Sequence, residues 1–290
     1  MTKNKKIKNF VIPYAITLNL IIIIFVTCLK LIRVNGYSMT PTLFDGDIVL
    51  GIKPWLIHSN SDLRNRILTF SNSESKSKSV IKRCLGIPGD SIEYLSGFLK
   101  NHNDSTLLKY QRSKVQVMIT SMEQQIYLEQ LFIHNHIKSL PPQNTILNAY
   151  LTYPQYQNLL KNYTITNPFS ETDYFINRIN ELLGGSKKLI VIPYKGYKLK
   201  ENPYCKFHKR INNDCTQILY GSHSTIQKNE YLEYNNDCFF FIGDNYNSSK
   251  DSRSFGFVPE NMITSLVIFR IFSSKENKTQ SRNLLTYRPY

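Results

Sequence analysis

Three short stretches hold side chains whose types and spacing can do chemistry: GYSMTPTLFDGD (36–47), IKRCLGIPGD (81–90) and GDNYNSSKDSRSFG (243–256). Ser38 stands in the first, ahead of a Pro-containing turn. A serine hydroxyl is inert unless a neighbouring base takes its proton. Lys82, in the second stretch, can be that base only where its ammonium form is disfavoured, by burial or by another cation. Its setting, VIKRCLGI, reads as a strand, and alternation sends Lys82 and Cys84 to one face and Ile81 and Arg83 to the other. Lys82 is therefore expected in a dry pocket, with Arg83 left in solvent. Each residue alone has a plainer reading. Lys82 could be a charge guarding an edge strand, and Ser38 a turn hydroxyl bonded to nearby backbone.

The elements that must position these groups read as largely β. Tyr (19) and Phe (16) are plentiful against 12 Gly and 12 Pro, which suits strands carrying aromatic side chains. VNGYSMTPTLFDGDIVLGI reads as a loop, a turn at Asp45-Gly46-Asp47 and an apolar strand. Residues 58–79 are polar and serine-rich around ILTF, a strand between loops. SVIKRCLGIPGDSIEYL and GFLKNHN read as strand pairs, with Pro88 and Gly89 at the positions that suit a type II turn. From 104 to 230 the texture shifts to Asn, Gln, Lys and Tyr without strong alternation, and we treat this as an inserted lobe. Within it SMEQQIYLEQLF and DYFINRINELLGG read as short amphipathic helices, the second ending on Gly184-Gly185. Strand texture returns at LIVIPYKGYKL and CFFFIGDN. MITSLVIFRIF is too short to span a membrane and carries Arg270, so it reads as a core strand.

The net charge of +15 suggests an anionic partner, but its placement matters more than its size. Lys3, Lys5, Lys6, Lys8, Lys30 and Arg33 flank one apolar segment, and residues 1–33 contain no acid. A solvated basic surface beside anionic lipid is the expectation. No basic-aromatic motif for nucleic acid stands out. Residues 10–29 carry no charge, and as a helix they match the ~30 Å hydrocarbon layer, so a transmembrane helix is expected. A removable secretory signal is the competing reading, but KLIRVNGYS offers no small-x-small cleavage site. The lysine excess before the segment keeps the amino terminus in the cytoplasm and the chain beyond about Ile32 outside. Of the five cysteines, Cys28, Cys84 and Cys238 read as small buried hydrophobes. Cys205 and Cys215 could close a disulfide; with His208 between them, their spacing matches no standard zinc pattern.

Taken together, the three stretches resemble the signature blocks of the type I signal peptidases. The first matches the Ser-Met-x-Pro-Thr-Leu block of the nucleophile, the second the Lys-Arg-x-x-Gly-x-Pro-Gly-Asp block of the base, and the third the Gly-Asp-Asn…Ser-x-Asp-Ser-Arg block. All three follow in family order behind an N-terminal anchor. The resemblance covers roughly 1–103 and 231–270 and leaves the middle lobe outside. It implies a mainly β fold: a basic cytoplasmic tail (1–9), a transmembrane helix (10–29), an antiparallel β catalytic domain (32–103 and 231–273), an inserted mixed α/β lobe (104–230) and a polar tail (274–290).

The resemblance also assigns roles: Ser38 nucleophile, Lys82 general base, Ser249 a hydroxyl orienting Lys82, and Asp251 with Arg253 a propping ion pair, Gly243 and Asp244 completing the support. A free carboxylate at Asp251 would raise the Lys82 pKa and defeat a neutral base, which favours the structural role. Family members hold the oxyanion with the nucleophile's own N–H and, in some, a hydroxyl two residues earlier. That position here is Gly36, so a second donor must be another backbone N–H or water. Tyr246 stands where many members have Arg, and Lys250 is an added charge. Substrate is expected as an added β-strand over two shallow apolar pockets for small side chains such as Ala. By adjacency Val34, Met39, Leu43 and Ile81 are candidate pocket residues, and equally readable as core.

No metal and no organic cofactor is implied. The expected partners are exported preproteins with small-x-small sites and membrane lipid, not nucleic acid, at the outer face of a cytoplasmic membrane. Competing readings are a Ser-Lys protease dedicated to conjugation or pilus proteins, and a tethered non-catalytic interaction module. A repressor-type autoprotease is disfavoured by the anchor, and the module by the intact Ser38 and Lys82.

Overall fold

The computed structural model describes residues 3–57, 63–72, 75–95, 97–105, 111–135, 137–143, 145–166, 189–200, 224–226, 231–274 and 282–283. Helix α1 (Lys3–Cys28) leads directly into β1 (Leu29–Arg33), followed by β2 (Ile48–Ile52), β3 (Ile67–Asn72), β4 (Ser75–Gly86), β5 (Ser91–Leu95) and β6 (Phe98–Asn101). Then come β7 (Arg112–Met118), α2 (Met122–His134), β8 (Ile146–Thr152), α3 (Tyr153–Leu159) and β9 (Ile165–Thr166). The chain continues through β10 (Leu189–Val191), β11 (Lys198–Lys200), β12 (Ser224–Ile226), β13 (Tyr231–Tyr234) and β14 (Cys238–Ile242). After a short helix α4 (Ser252–Phe255) it ends in β15 (Val258–Pro259), β16 (Ile263–Phe272) and β17 (Arg282–Asn283).

The protein is mainly β, as the composition suggests, and the sheets among the described residues are antiparallel. The largest sheet runs β1-β2-β16-β3-β4-β14-β15, with β17 against β16. The apolar run at the carboxyl end is therefore an interior strand, β16, paired to both β2 and β3. β4 is interior as well, with Lys82 opposite Leu68 on one neighbour and Arg83 opposite Ile242 on the other. Lys82 is thus no edge-strand guard. Between β4 and β5, Gly89 has φ of 84°, the left-handed value a type II turn needs at its third position.

Both sides of the sheet are covered. Leu68, Phe70, Cys84, Phe239, Phe241 and Leu266 belong to one apolar cluster, and Val34, Met39, Leu43, Val49, Ile67, Ile81 and Val267 to another. A third joins Leu85 and Phe240 to Ile92, Leu99, Ile190 and Ile192. The expectation that Arg83 faces solvent is wrong: only 2% of it is exposed. Its guanidinium is instead enclosed by partners, donating to Asp244, to the Asn65 carbonyl and to Thr42 Oγ1.

A separate cluster gathers Phe98, Val115, Val117, Leu128, Phe132, Leu147, Leu151 and Tyr156 around the sheet β8-β7-β9 and helices α2 and α3. The helix read at SMEQQIYLEQLF is α2, its amino end capped by Ser121 Oγ accepting from the Gln124 N–H at 3.1 Å. The strand β7 does alternate, with Ser113, Val115 and Val117 buried and their neighbours not, a pattern the polar texture masks in the sequence. Cys84 and Cys238 are buried as expected, and Cys28 is half-buried. Cys205, His208, Cys215 and the helix read at DYFINRINELLGG lie outside the described residues.

In α1 the described side chains, from Ile12 onward, expose apolar surface on every side, including Ile16, Leu18, Ile21, Ile23 and Val26. Among the described residues no helix is long and apolar enough to cross a membrane, so the anchor remains an expectation.

Candidate active site

Three pieces of chain converge: the loop between β1 and β2, β4 at Lys82 and Arg83, and the segment after β14. Lys82 Nζ lies 2.6 Å from Ser38 Oγ, and its other partner is the Ile81 carbonyl at 3.1 Å. Only 4% of Lys82 is exposed. Burial strips the ammonium of water and pushes the pKa down to about 8; Arg253 pushes the same way, while Asp251 and Asp244 pull it back up. Near pH 8 much of Lys82 is then neutral, and a neutral amine accepts the proton that the Ser38 hydroxyl donates.

The two carboxylates that oppose this are each tied to an arginine. Asp251 is fully buried, which by itself favours its neutral form, yet Arg253 and the Gly243 N–H outweigh burial and hold its carboxyl below the usual range. Arg253 grips it with Nε to Oδ1 and Nη2 to Oδ2, both at 2.9 Å, and Gly243 N donates at 2.9 Å. The Tyr246 ring stacks on the same guanidinium, 3.6 Å from centroid to Cζ, so the tyrosine that departs from the family pattern is part of the support. Asp244 is gripped by Arg83, Nε to Oδ1 at 2.7 Å and Nη2 to Oδ2 at 2.6 Å. It also accepts a short hydrogen bond from Thr42 Oγ1, in the same loop as Ser38. Arg83 therefore ties β4, the segment after β14 and the Ser38 loop together.

The loop is held elsewhere too. Gly36 has φ of 85° and donates its N–H to Asp45 Oδ1 at 2.7 Å, which commits that N–H to the loop itself. Asp47, fully buried, accepts from Phe44 N at 2.9 Å and from Ser274 N at 2.8 Å, joining the loop to the end of β16. Asn245 reaches the Ser38 turn: its N donates to Ser38 O at 2.9 Å, and its Nδ2 to Tyr37 O and Thr40 Oγ1, each at 3.0 Å. A methyl group at Gly243 would collide with the Ser249 side chain and the Ser38 carbonyl oxygen, so glycine is required by close approach.

Ser38, Lys82, Gly36, Gly243, Asp244, Asp251 and Arg253 are thus brought together. Ser249 is buried beside them, but its Oγ has no hydrogen-bond partner among the described residues. It lies near enough to the Asp251 carboxylate to help keep it charged, while the hydrogen bonds of Lys82 Nζ go to Ser38 and Ile81. Val34, Met39, Leu43 and Ile81 share one cluster under the loop, none more than 7% exposed. The sequence reading assigned nothing to Thr42 or Asn245. Both sit inside the quoted stretches, but only the fold shows what they touch. Among the described residues no three His, Cys, Asp or Glu gather into a metal-holding cluster.

The family model for signal peptidases, peptidase S26, matches residues 7–116 and 192–272, well over half of the chain. The chain belongs to the signal peptidase family. Similar proteins include the signal peptidase I of Buchnera aphidicola subsp. Baizongia pistaciae, 24% identical over 278 residues that cover 91% of this chain and 77% of the relative. That of Buchnera aphidicola subsp. Schizaphis graminum is 26% identical over 259 residues, 85% of this chain and 69% of the relative. The signal peptidase I of Streptococcus pneumoniae serotype 4 is 38% identical over a shorter 63 residues, 22% of this chain and 28% of the relative. A signal peptidase is a serine endopeptidase. The family match pauses between 116 and 192, the stretch that holds α2, β8, α3, β9 and β10.

Proposed function

We propose that Ser38 is the nucleophile and Lys82 the general base of a type I signal peptidase that removes amino-terminal signal peptides from exported preproteins. The observation that carries this reading is the 2.6 Å approach of Ser38 Oγ to Lys82 Nζ in a site that holds the lysine pKa at about 8. The Ser38 proton passes to Nζ as Oγ attacks the scissile carbonyl carbon. The tetrahedral intermediate collapses, and the Lys82 ammonium returns that proton to the departing amine. A water then loses a proton to Lys82 and attacks the acyl ester, and Ser38 regains its hydrogen as the signal peptide leaves.

The site lies a few residues beyond α1, whose uncharged residues 10–29 and outward apolar side chains support a membrane anchor with the amino terminus in the cytoplasm. The catalytic sheet then faces outward at the membrane surface, where cleavage points of membrane-inserted signal peptides lie. Substrate is read as an added strand whose small side chains, such as Ala, enter two shallow apolar pockets, with Val34, Met39, Leu43 and Ile81 as the candidate lining. The stretch 104–230 is taken as an inserted lobe.

The test is cleavage of a preprotein with an Ala-x-Ala site by the detergent-solubilised full chain, beside Ser38→Ala and Lys82→Ala of equal thermal stability. Cleavage by wild type and loss in both variants is expected. A folded wild type that cuts no such preprotein would turn the reading towards a dedicated substrate or a binding role.

A further inference from the structure

Gly36 offers no hydroxyl and its N–H is committed to Asp45, so the donors for a developing oxyanion must come from elsewhere in the turn. Among the described residues the N–H groups of Ser38 and Met39 donate to no acceptor, whereas the carbonyls of the same two peptide units are heavily engaged. Tyr37 O accepts from Thr40 Oγ1 at 2.8 Å, from Thr40 N at 3.2 Å and from Asn245 Nδ2 at 3.0 Å. Ser38 O accepts from Asn245 N at 2.9 Å. In a trans peptide the C=O and the following N–H lie in one plane and point in opposite directions. Both units are trans, the cis bond in this loop being Thr40–Pro41. Holding the carbonyl oxygens of Tyr37 and Ser38 towards Asn245 therefore turns the N–H groups of Ser38 and Met39 away from it.

We propose that Asn245 is a positioning residue that aims the backbone N–H groups of Ser38 and Met39 as the oxyanion donors of the Ser38 reaction. The residue does not touch substrate. It fixes two peptide planes in advance, so that the donors need no reorganisation as charge develops on the carbonyl oxygen. Thr40 shares the task, since its hydroxyl both donates to Tyr37 O and accepts from Asn245 Nδ2.

The inference rests on the peptidase reading and is tested with the full chain. Asn245→Ala removes the side-chain grip without adding charge. The expected result is a fall in kcat of roughly 10²-fold, the scale of a lost oxyanion donor, with KM and the pH midpoint of cleavage unchanged. A peptide aldehyde, whose adduct with Ser38 carries an oxyanion, loses affinity by a similar factor, while a non-reactive amide of the same sequence keeps its own. Equal weakening of both peptides, or a kcat within about threefold of wild type, would overturn the proposal. If Asn245→Ala loses thermal stability, the near-isosteric Thr40→Val is expected to show the same kcat-only signature at smaller size, and its absence there would overturn the proposal equally. A wild type that cleaves nothing removes the peptidase reading, and the inference with it; an active wild type beside an unaffected variant removes the inference alone.

Discussion

The sheet around Lys82 and the lobe around Phe132 are built on opposite terms. In the first, Lys82, Arg83, Asp251 and Arg253 are buried among apolar clusters, each arginine holding a carboxylate. In the second, the buried polar residues among those described are Gln111, Ser113 and Asn148, all uncharged, and the interior is an apolar cluster. Apolar packing stabilises without needing partners, whereas a buried ion pair yields little net stability and is costly to break. The lobe can thus change sequence as long as volume and pattern persist. The catalytic sheet cannot, because each charge there sets the state of another.

The sharpest way to break this contrast is Arg253→Met. It strands the Asp251 carboxylate in the interior and is expected to cost about 3–5 kcal/mol in chemical denaturation. The same variant loses the cation that lowers the Lys82 pKa and unmasks the anion that raises it, so cleavage should need a more alkaline pH than in wild type. Phe132→Ala in the lobe, by contrast, leaves a cavity of similar cost, about 3–5 kcal/mol. The folded fraction should keep the wild-type pH dependence of cleavage. If Phe132→Ala moved that dependence as Arg253→Met does, the two regions would not be separable.

Lys82→Met probes the cost of poising the base. The folded pKa of about 8 lies below the ordinary 10.5, so below pH 8 the fold carries a buried ammonium that the unfolded chain hydrates. The penalty is then full at neutral pH and fades as pH rises from about 8 to 10.5. The variant should be more stable than wild type by about 3 kcal/mol at pH 7, with the gain gone above pH ~10.5. A Lys82→Met protein less stable than wild type at pH 7 would mean that the lysine is not held at a cost.

Much of this was legible in the residues. Residue types within 36–47 and 81–90 singled out Ser38 and Lys82 as an alcohol and an amine able to work together, while the pairing of Asp251 with Arg253 came only from the resemblance of the three stretches to a family pattern. The interior strand β16 was legible from its mostly apolar run, too short to span a membrane. Arg83 was misread because alternation tells which way a side chain turns, not whether something covers it, and its partners Thr42, Asn65 and Asp244 come from other segments of the chain. Thr42 and Asn245 went unassigned for the same reason: a hydroxyl or amide acquires its role from a partner about 200 positions away. The alternation of β7 stood in the sequence at Ser113, Val115 and Val117, hidden among polar residues that face outward.

Proton transfer from Ser38 needs a neutral Lys82 at working pH, and the pH profile of kcat/KM for a model preprotein tests this most directly. With Lys82 held at about 8, cleavage should rise with pH and reach half its plateau near that value. A profile that is flat through this range, or one whose midpoint lies at the ordinary lysine value of 10.5, would contradict it.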